Sequence, residues 1–303
     1  MEEKLSCDGG HEFKLLFSCP SGLSPSQVSV VFDEAYDRNL HPDHTLEKSI
    51  SEIWDARVQQ SSSLYNGTKF RYGGYNFNVE NDPKQQPHLV LLTSPNEDID
   101  SGDNKLLTLW NPKSKLFFLP EDDCIQCQHT SSPLGNGAVV ETSDRRILVL
   151  QRSNKVGEFP GYFVFPGGHP EPQEVGIISH EGFQELNQCH MINSKVSQEM
   201  FDSIVREVVE EIGAPADSLS SPIFIGISRR VLNVRPTAFF FIKCNLRSEE
   251  IQQLYSSAQD SFESTQLYAV SMSDLENMAS KMPGCHRGGY ALYKLMVQDT
   301  SDS

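Results

Sequence analysis

The first 100 residues alternate between short apolar runs and one amphipathic segment. Residues 15–20 and 88–94 are compact apolar runs of strand length, and residues 69–79 alternate aromatic and polar positions around a Gly-Gly pair. Residues 46–60 repeat apolar side chains at helical spacing, and residues 24–36 begin with Ser-Pro, a common helix start. These patterns predict three strands and two helices.

The apolar pattern is more regular from residue 137 onward. Apolar runs at strand length alternate with amphipathic segments, which predicts an α/β sandwich with a partly antiparallel sheet. The predicted strands are two within 137–153, joined by a Ser-Asp turn, and one each at 163–168, 222–228, 237–244 and 265–271. The predicted helices are 197–214, 248–258, 273–282 and 288–298.

The polar stretch 121–137 is the predicted domain boundary. A chain of 303 residues is long enough for about two domains. We therefore expect a smaller α/β domain at 1–130 and a larger domain at 131–303.

The charge balance restricts the partners. The chain has 41 Asp and Glu against 25 Lys and Arg, a net charge of −16. Such a surface repels nucleic acid and anionic membranes, because both are bound largely through Lys and Arg. A phosphorylated small molecule is still compatible with it when a divalent cation supplies local positive charge.

Several further features favour a reduced, cytosolic protein. No apolar run of about 18 residues is present, and the N-terminus lacks the plan of a signal peptide. The seven cysteines have no framework spacing, which is typical of reduced thiols. Cys124 and Cys127 form a CxxC, but a second pair at zinc-ligand spacing is missing, so a structural or incidental role is favoured.

The segment 197–214 is the strongest predicted helix. Ser197 is a plausible N-cap, Gly213 a plausible C-terminal stop, and apolar residues at spacings of three and four form one stripe. The other face carries Glu207, Glu210 and Glu211 within an arc of roughly 100°. Two interpretations stand at this point, a solvated acidic face or oxygen ligands for Mg²⁺ or Mn²⁺.

The stretch "FPGGHPEPQE" at 165–174, taken together with this helix, resembles the box of the Nudix hydrolase family. That box reads Gly, five residues, Glu, seven residues, then Arg-Glu-apolar-x-Glu-Glu-x-Gly-apolar. The matching positions are Gly168, Glu174, Arg206, Glu207, Val208, Glu210, Glu211, Gly213 and Ala214. The spacer departs from the family, because 31 residues instead of seven separate Glu174 from Arg206, an insertion of 24. An insertion of that size costs little closure entropy.

The resemblance narrows to one branch of the family. The long spacer and the Glu263-Ser264-Thr265 step are similar to a branch that includes a mammalian enzyme cleaving UDP-glucose and UDP-galactose and plant enzymes acting on GDP-mannose. The similarity extends over most of the chain, including "IWDAR", "KFRYGG", "SRRVLNVRP" and "MPGCHRGG". One segment, 89–118, departs from the branch. If it helps to hold the sugar, activity or specificity changes with it.

The resemblance implies a fold and a reaction. The fold is an α/β/α sandwich with a mixed sheet at 131–303, and the reaction is hydrolysis of a nucleoside diphosphate sugar, with GDP-mannose favoured over UDP-glucose and UDP-galactose. Glu207, Glu210 and Glu211 are the implied ligands of Mg²⁺ or Mn²⁺, with a carbonyl near Gly167 and Gly168. The implied general base is Glu207, then Glu263. Arg206 and Glu174 are implied to orient the loop and the helix.

Other residues have two interpretations each. Arg229, Arg230 and Arg235 suit phosphate contact, because Arg matches paired oxygens, but pairing with nearby carboxylates is as good an interpretation. The aromatic residues of 69–79 favour a sheet core over stacking on a base or sugar. His169 and His286 favour structural roles.

Two other functions remain open. One is hydrolysis of a different diphosphate, such as ADP-ribose or NADH. The other is a catalytically weak module that binds a nucleotide sugar, for which the divergent 89–118 segment leaves room.

Overall fold

The computed structural model describes residues 11–60, 68–78, 87–96, 128–154, 156, 159–177, 186–232, 234–255 and 264–302. The strands are β1 (Phe13–Leu23), β2 (Val28–Phe32), β3 (Lys69–Asn78), β4 (His88–Asn96), β5 (Gly135–Glu141), β6 (Ile147–Arg152), β7 (Phe163–Val164), β8 (Ile223–Arg230), β9 (Pro236–Lys243) and β10 (Ser264–Val270). The helices are α1 (His44–Gln60), α2 (Leu186–Ile212), α3 (Ser248–Tyr255), α4 (Met272–Ala279) and α5 (Gly284–Asp302). Among the described helices, none is long and apolar enough to cross a membrane.

The residues divide into two compact units that interleave along the chain. The larger unit takes Met1–Gln27, Gly135–His169 and Met200–Ser303, and the smaller takes Val28–Leu134 and Pro170–Glu199. The predicted division into domains at 130/131 stays a prediction.

A mixed seven-stranded sheet forms the centre of the larger unit. Its strand order is β1-β8-β9-β5-β6-β10, with β7 on β6. β5 and β9 run parallel, whereas β1 and β8, β8 and β9, and β6 and β10 run antiparallel. The predicted strands of this region are confirmed, except that the predicted strand 163–168 is a strand only over its first two residues.

Helices cover both faces of this sheet. On one face, the ring of Phe201 from α2 packs edge-on against Phe240 at 5.2 Å. On the opposite face, Leu275 of α4 and Leu292 of α5 join the core around Phe239. The predicted α/β/α sandwich with a mixed sheet is therefore confirmed, because neighbouring residues of β9 point to opposite faces.

The smaller unit contains a three-stranded sheet of order β2-β4-β3. The predicted helix at 24–36 is wrong. Ser24 and Pro25 begin only a short 3₁₀ turn, and Val28–Phe32 forms β2, parallel to β4. Val28, Val30 and Val31 explain the outcome, since branched side chains favour strands and pack on a pleated surface.

The long spacer is largely helical where the structure describes it. α2 begins at Leu186 and not at the predicted N-cap Ser197, so the prediction of that cap is wrong. The predicted end is confirmed, because the helix stops at Ile212 and Gly213 takes a φ of 74°, which glycine adopts without strain.

The helical part of the spacer covers a sheet edge. β2 lies at the edge of its sheet, where backbone N–H groups lack a strand partner. Its Val30 N–H donates to Ser197 Oγ at 2.8 Å, and its Phe32 N–H donates to Asn193 Oδ1 at 3.0 Å. Ser197 Oγ in turn donates to the Asn193 carbonyl at 2.6 Å. The added turns of α2 therefore satisfy the edge of the smaller sheet.

We predict that Ser197→Ala exposes this edge. The variant removes the acceptor of the buried Val30 amide, which costs about 1–3 kcal/mol for an unsatisfied donor. Hydrogen exchange is expected to accelerate at Val30, and the urea midpoint of unfolding is expected to fall. The exposed Ser194→Ala, on the same helix, is the matched control and leaves both unchanged. Unaltered exchange at Val30 in Ser197→Ala would refute the role of this side chain.

Candidate active site

The Gly-rich loop, residues 166–169, runs along the edge of β5. After β7, the Pro166 carbonyl accepts the Ala138 N–H at 2.8 Å, and the Gly168 carbonyl accepts the Asn136 N–H at 2.9 Å. The loop thus occupies hydrogen-bonding positions that another strand would otherwise fill. These two hydrogen bonds fix the position of the loop relative to the sheet.

Three successive amides of the loop bind three side chains. Gly167 N–H donates to Glu211 Oε2 at 2.7 Å, Gly168 N–H to Asn136 Oδ1 at 2.7 Å, and His169 N–H to Glu207 Oε1 at 3.3 Å. Hydrogen bonds from amides to carboxylates are charge-assisted and stronger than neutral ones. Two glutamates of α2 and one asparagine of β5 therefore hold the loop.

The two glycines are required by close approach. A Cβ on Gly168 would lie 1.9 Å from Glu207 Oε1, and a Cβ on Gly167 would lie 2.3 Å from the Asn136 carbonyl oxygen. Gly167 also has a φ of 157°. Only residues without a side chain let α2 and β5 come this close to the loop backbone.

The three glutamates differ in exposure. Glu211 is buried, at 9% exposure, Glu207 is half-buried and Glu210 is exposed. Burial, followed by the negative charge of Glu211, raises the pKa of the Tyr255 phenol above its ordinary value. A buried carboxylate of this kind is stabilised by hydrogen bonds or by a nearby cation.

The donor chemistry of this site fits a hard divalent cation. Carboxylate oxygens together with a backbone carbonyl are the ligands that Mg²⁺ and Mn²⁺ prefer. The described residues contain no group of three or more His, Cys, Asp or Glu already gathered as a metal site. Glu207 and Glu211 instead accept amides of the loop. Each carboxylate offers about four acceptor positions, so one such bond is compatible with a cation.

Two of the other three residues implied by the resemblance lie within the described part of the chain. Arg206 is half-buried on α2, and Glu174 is exposed in a 3₁₀ turn, Pro172–Val175. Glu263 lies outside the described residues, as do Cys124, Cys127 and most of the divergent segment 89–118. The roles implied for Arg206, Glu174 and Glu263 stay predictions.

The three arginines lie at the β8–β9 hairpin. Arg229 and Arg230 are buried near the end of β8, and the Arg230 N–H donates to the Arg235 carbonyl at 3.1 Å. The guanidinium of Arg230 lies 4.7 Å from the centre of the Phe159 ring, a cation–π contact. Their role as phosphate contacts stays a prediction.

His286 has a structural position beside the loop. It is half-buried, and its Nδ1 accepts the N–H of Phe165 at 3.2 Å, just before the Gly-rich loop. Burial, then the charges of Arg152 and Arg230, lower the pKa of His286 to about 3. His286 is therefore neutral, with its proton on Nε2.

Of the aromatic residues of β3, Phe70 is fully buried, as expected for a sheet core, whereas Tyr75 is 36% exposed.

Sequence reasoning did not identify Asn136, Ser203 or Glu199. Asn136 Nδ2 donates to Ser203 Oγ at 2.9 Å, and both residues are buried. The buried Glu199 carboxylate accepts the Glu171 N–H at 3.0 Å in the smaller unit. The available signal was a polar residue inside an otherwise apolar stretch, Asn136 in "GNGAVV" and Ser203 in the apolar stripe of α2.

Comparison with known proteins shows which proteins this chain resembles. No family model matches the chain. The chain is 56% identical over 290 residues to "Nudix hydrolase 9" of Arabidopsis thaliana, covering 95% of this chain and 92% of that protein. It is 32% identical over 269 residues to "Uridine diphosphate glucose pyrophosphatase NUDT22" of Mus musculus, covering 86% of this chain and 81% of that protein.

A Caenorhabditis elegans Ap4A hydrolase is among the similar solved structures. It is 14% identical and aligns over 56% of this chain and 99% of that chain, with a TM-score of only 0.36. The sequence identity to the two relatives, and the share of each chain that the alignments cover, show the family of this protein. The protein is an enzyme of the pyrophosphohydrolase class. The chain belongs to the Nudix hydrolase family.

We predict that Gly168→Ala impairs catalysis more than stability. The added Cβ meets the flexible end of Glu207, so the carboxylate moves and the fold tolerates the change. Activity is expected to fall about 10–100-fold, as for displaced groups around metal sites. Steady-state kinetics and urea unfolding measure the two effects.

Gly167→Ala and Gly176→Ala complete this comparison. Gly167→Ala meets the backbone at Asn136, so stability is expected to fall together with activity. Gly176 also has a positive φ, 77°, but open space around it, so Gly176→Ala is expected to cost only backbone strain. Full activity of Gly168→Ala would contradict the close packing of Glu207.

A second prediction concerns acid stability. Because the folded pKa of His286, about 3, lies below its unfolded value, the unfolded state alone takes up the proton as pH falls below about 6.5. Between pH 7.5 and 5.0 this lowers the free energy of unfolding by about 2 kcal/mol. His286→Asn keeps an acceptor for Phe165 and removes this titration. Thermal unfolding at both pH values is expected to show a smaller acid loss for the variant, and equal losses would refute a neutral His286.

Proposed function

We propose that this enzyme hydrolyses the diphosphate bridge of a nucleotide sugar in a reaction that requires a divalent metal ion. The products are a nucleoside monophosphate and a sugar 1-phosphate. The observation that carries the proposal is the buried Glu211 on α2, hydrogen-bonded to the Gly-rich loop beside Glu207. The substrate class is supported by the mouse relative, whose name is that of a UDP-glucose pyrophosphatase.

GDP-mannose is the first substrate to test, followed by UDP-glucose and UDP-galactose. The plant relative has the higher identity, 56% against 32%, and its name specifies no substrate. The resemblance to plant enzymes of the branch supports GDP-mannose. The name of the mouse relative supports the uridine compound.

Glu207, Glu210 and Glu211, with the carbonyl of Gly167 or Gly168, are the residues that would hold Mg²⁺ or Mn²⁺. When bound, such an ion neutralises diphosphate charge and lowers the pKa of a coordinated water. The rigid helix α2 and the amides of Gly167 and His169 keep two of these carboxylates in place before substrate arrives.

The remaining residues have roles in proton transfer, in positioning and in supplying positive charge. Glu207 is the first choice as general base because of its position in the box of the family, and Glu263 is the second. Arg206 and Glu174 orient the helix and the loop. Arg229, Arg230 and Arg235 contribute positive charge for phosphate oxygens in a chain of net charge −16.

The decisive test is Glu211→Gln with Mg²⁺ and a panel of nucleotide sugars. The Gln side chain retains an acceptor for the Gly167 N–H but loses the charge, so we expect a loss of turnover of about a hundredfold or more with the fold intact. Phosphate release after added phosphatase reports turnover, and circular dichroism reports folding. Glu249→Gln, on the exposed surface of α3, is the matched control with unchanged turnover.

Other outcomes identify other functions. Preference for ADP-ribose or NADH over every nucleotide sugar would replace the substrate class and keep the enzyme class. Calorimetric binding of GDP-mannose with Mg²⁺ but without turnover would indicate a binding module. Full turnover by Glu211→Gln would refute the proposed site.

A further inference from the structure

Asn136 contacts the Gly-rich loop through both its backbone and its side chain. Its N–H donates to the Gly168 carbonyl at 2.9 Å, while its Oδ1 accepts the Gly168 N–H at 2.7 Å. One residue of β5 therefore engages both hydrogen-bonding groups of Gly168. This is more than the Gly-Gly sequence needs to form a turn, because a turn requires only one such bond.

The amide group of Asn136 is itself fixed. Its Nδ2 donates to Ser203 Oγ on α2 at 2.9 Å, and Asn136 and Ser203 are 4% and 0% exposed. The Gly168 N–H can only donate, so the Asn136 oxygen faces Gly168 and the Asn136 nitrogen faces the Ser203 hydroxyl, which accepts. Because both ends of the buried Asn136 amide are hydrogen-bonded, the side chain is rigid.

This arrangement decides the direction of one peptide group. The described backbone contains no cis peptide, so the Gly167–Gly168 bond is trans and its carbonyl points opposite to its N–H. Since the Gly168 N–H points to Asn136, the Gly167 carbonyl points away from Asn136. The Gly168 carbonyl, in contrast, already accepts the Asn136 N–H.

We propose that Asn136, held by Ser203, is a positioning residue that fixes the Gly167–Gly168 peptide, so that the Gly167 carbonyl stays free to serve as the backbone ligand of the divalent ion. The inference rests on the proposed metal dependence of this site.

A titration with Mn²⁺, in which electron paramagnetic resonance measures the bound ion, tests the proposal without substrate. Asn136→Ala removes the acceptor, so the peptide can rotate, and the affinity for Mn²⁺ is expected to fall about 10–100-fold. The kcat is expected to fall by a similar factor, whereas KM changes less than about threefold, as expected for a group acting through the metal.

Two further variants separate positioning from general stability. Asn136→Asp keeps the acceptor oxygen and is expected to retain the affinity for Mn²⁺ within about threefold, because the Ser203 hydroxyl can rotate to donate to the new carboxylate. Ser203→Ala removes only the partner of the amide and is expected to weaken Mn²⁺ binding less than Asn136→Ala. These two variants decide the question if Asn136→Ala does not fold.

Thr142→Val is the matched control. Thr142 is also buried and hydrogen-bonded in the larger unit, to Asp144 Oδ1 at 2.8 Å, but it lies in the β5–β6 turn. Thr142→Val is expected to lose stability and to bind Mn²⁺ with unchanged affinity. A stability loss in Asn136→Ala with unaltered Mn²⁺ affinity would mean that Asn136 is only structural.

The outcomes also distinguish this inference from the proposed function. Equal losses in Asn136→Asp and Asn136→Ala would refute the role of the acceptor oxygen. If Glu211→Gln weakens Mn²⁺ binding and Asn136→Ala does not, the metal site stands and the positioning role fails. If the unmodified enzyme binds no Mn²⁺, both fail.

Discussion

The contact between the Gly-rich loop and α2 is the constraint on which the site depends. Gly167 and His169 donate their amides to Glu211 and Glu207, and the absence of side chains at Gly167 and Gly168 makes that distance possible. Acidic side chains on one helix face would repel each other, at a cost of a few tenths of a kcal/mol per pair. Amide donors offset that repulsion, and a divalent cation would offset it further.

The long spacer between the two halves of the box has a structural use. The part that the structure describes extends α2 toward its N-terminus, and Asn193 and Ser197 of this extension bind the edge amides of β2. The same helix therefore carries Glu207 and Glu211 near one end and a cover for a sheet edge near the other. Edge strands need such protection because their unpaired amides are open to pairing with other chains.

Much of the fold followed from residue patterns. The apolar stripe of α2, the Gly213 stop and the strand-length apolar runs of the larger sheet are local features, and the structure confirms them. The failures have a common cause. Ser-Pro at 24–25 and Ser197 are both good helix starts locally, but pairing of β2 with β4 and extension of α2 overrode these preferences.

The sequence alone determined the chemistry available to this protein, because the box residues carry the carboxylates and the glycines whatever their distance along the chain. It also indicated the family, which the curated relatives confirm. Only the tertiary structure decided which groups meet. Asn136 and Ser203 are 67 residues apart, and their hydrogen bond exists because β5 and α2 pack together. Side-chain partners at such separation follow from packing, and no local pattern specifies them.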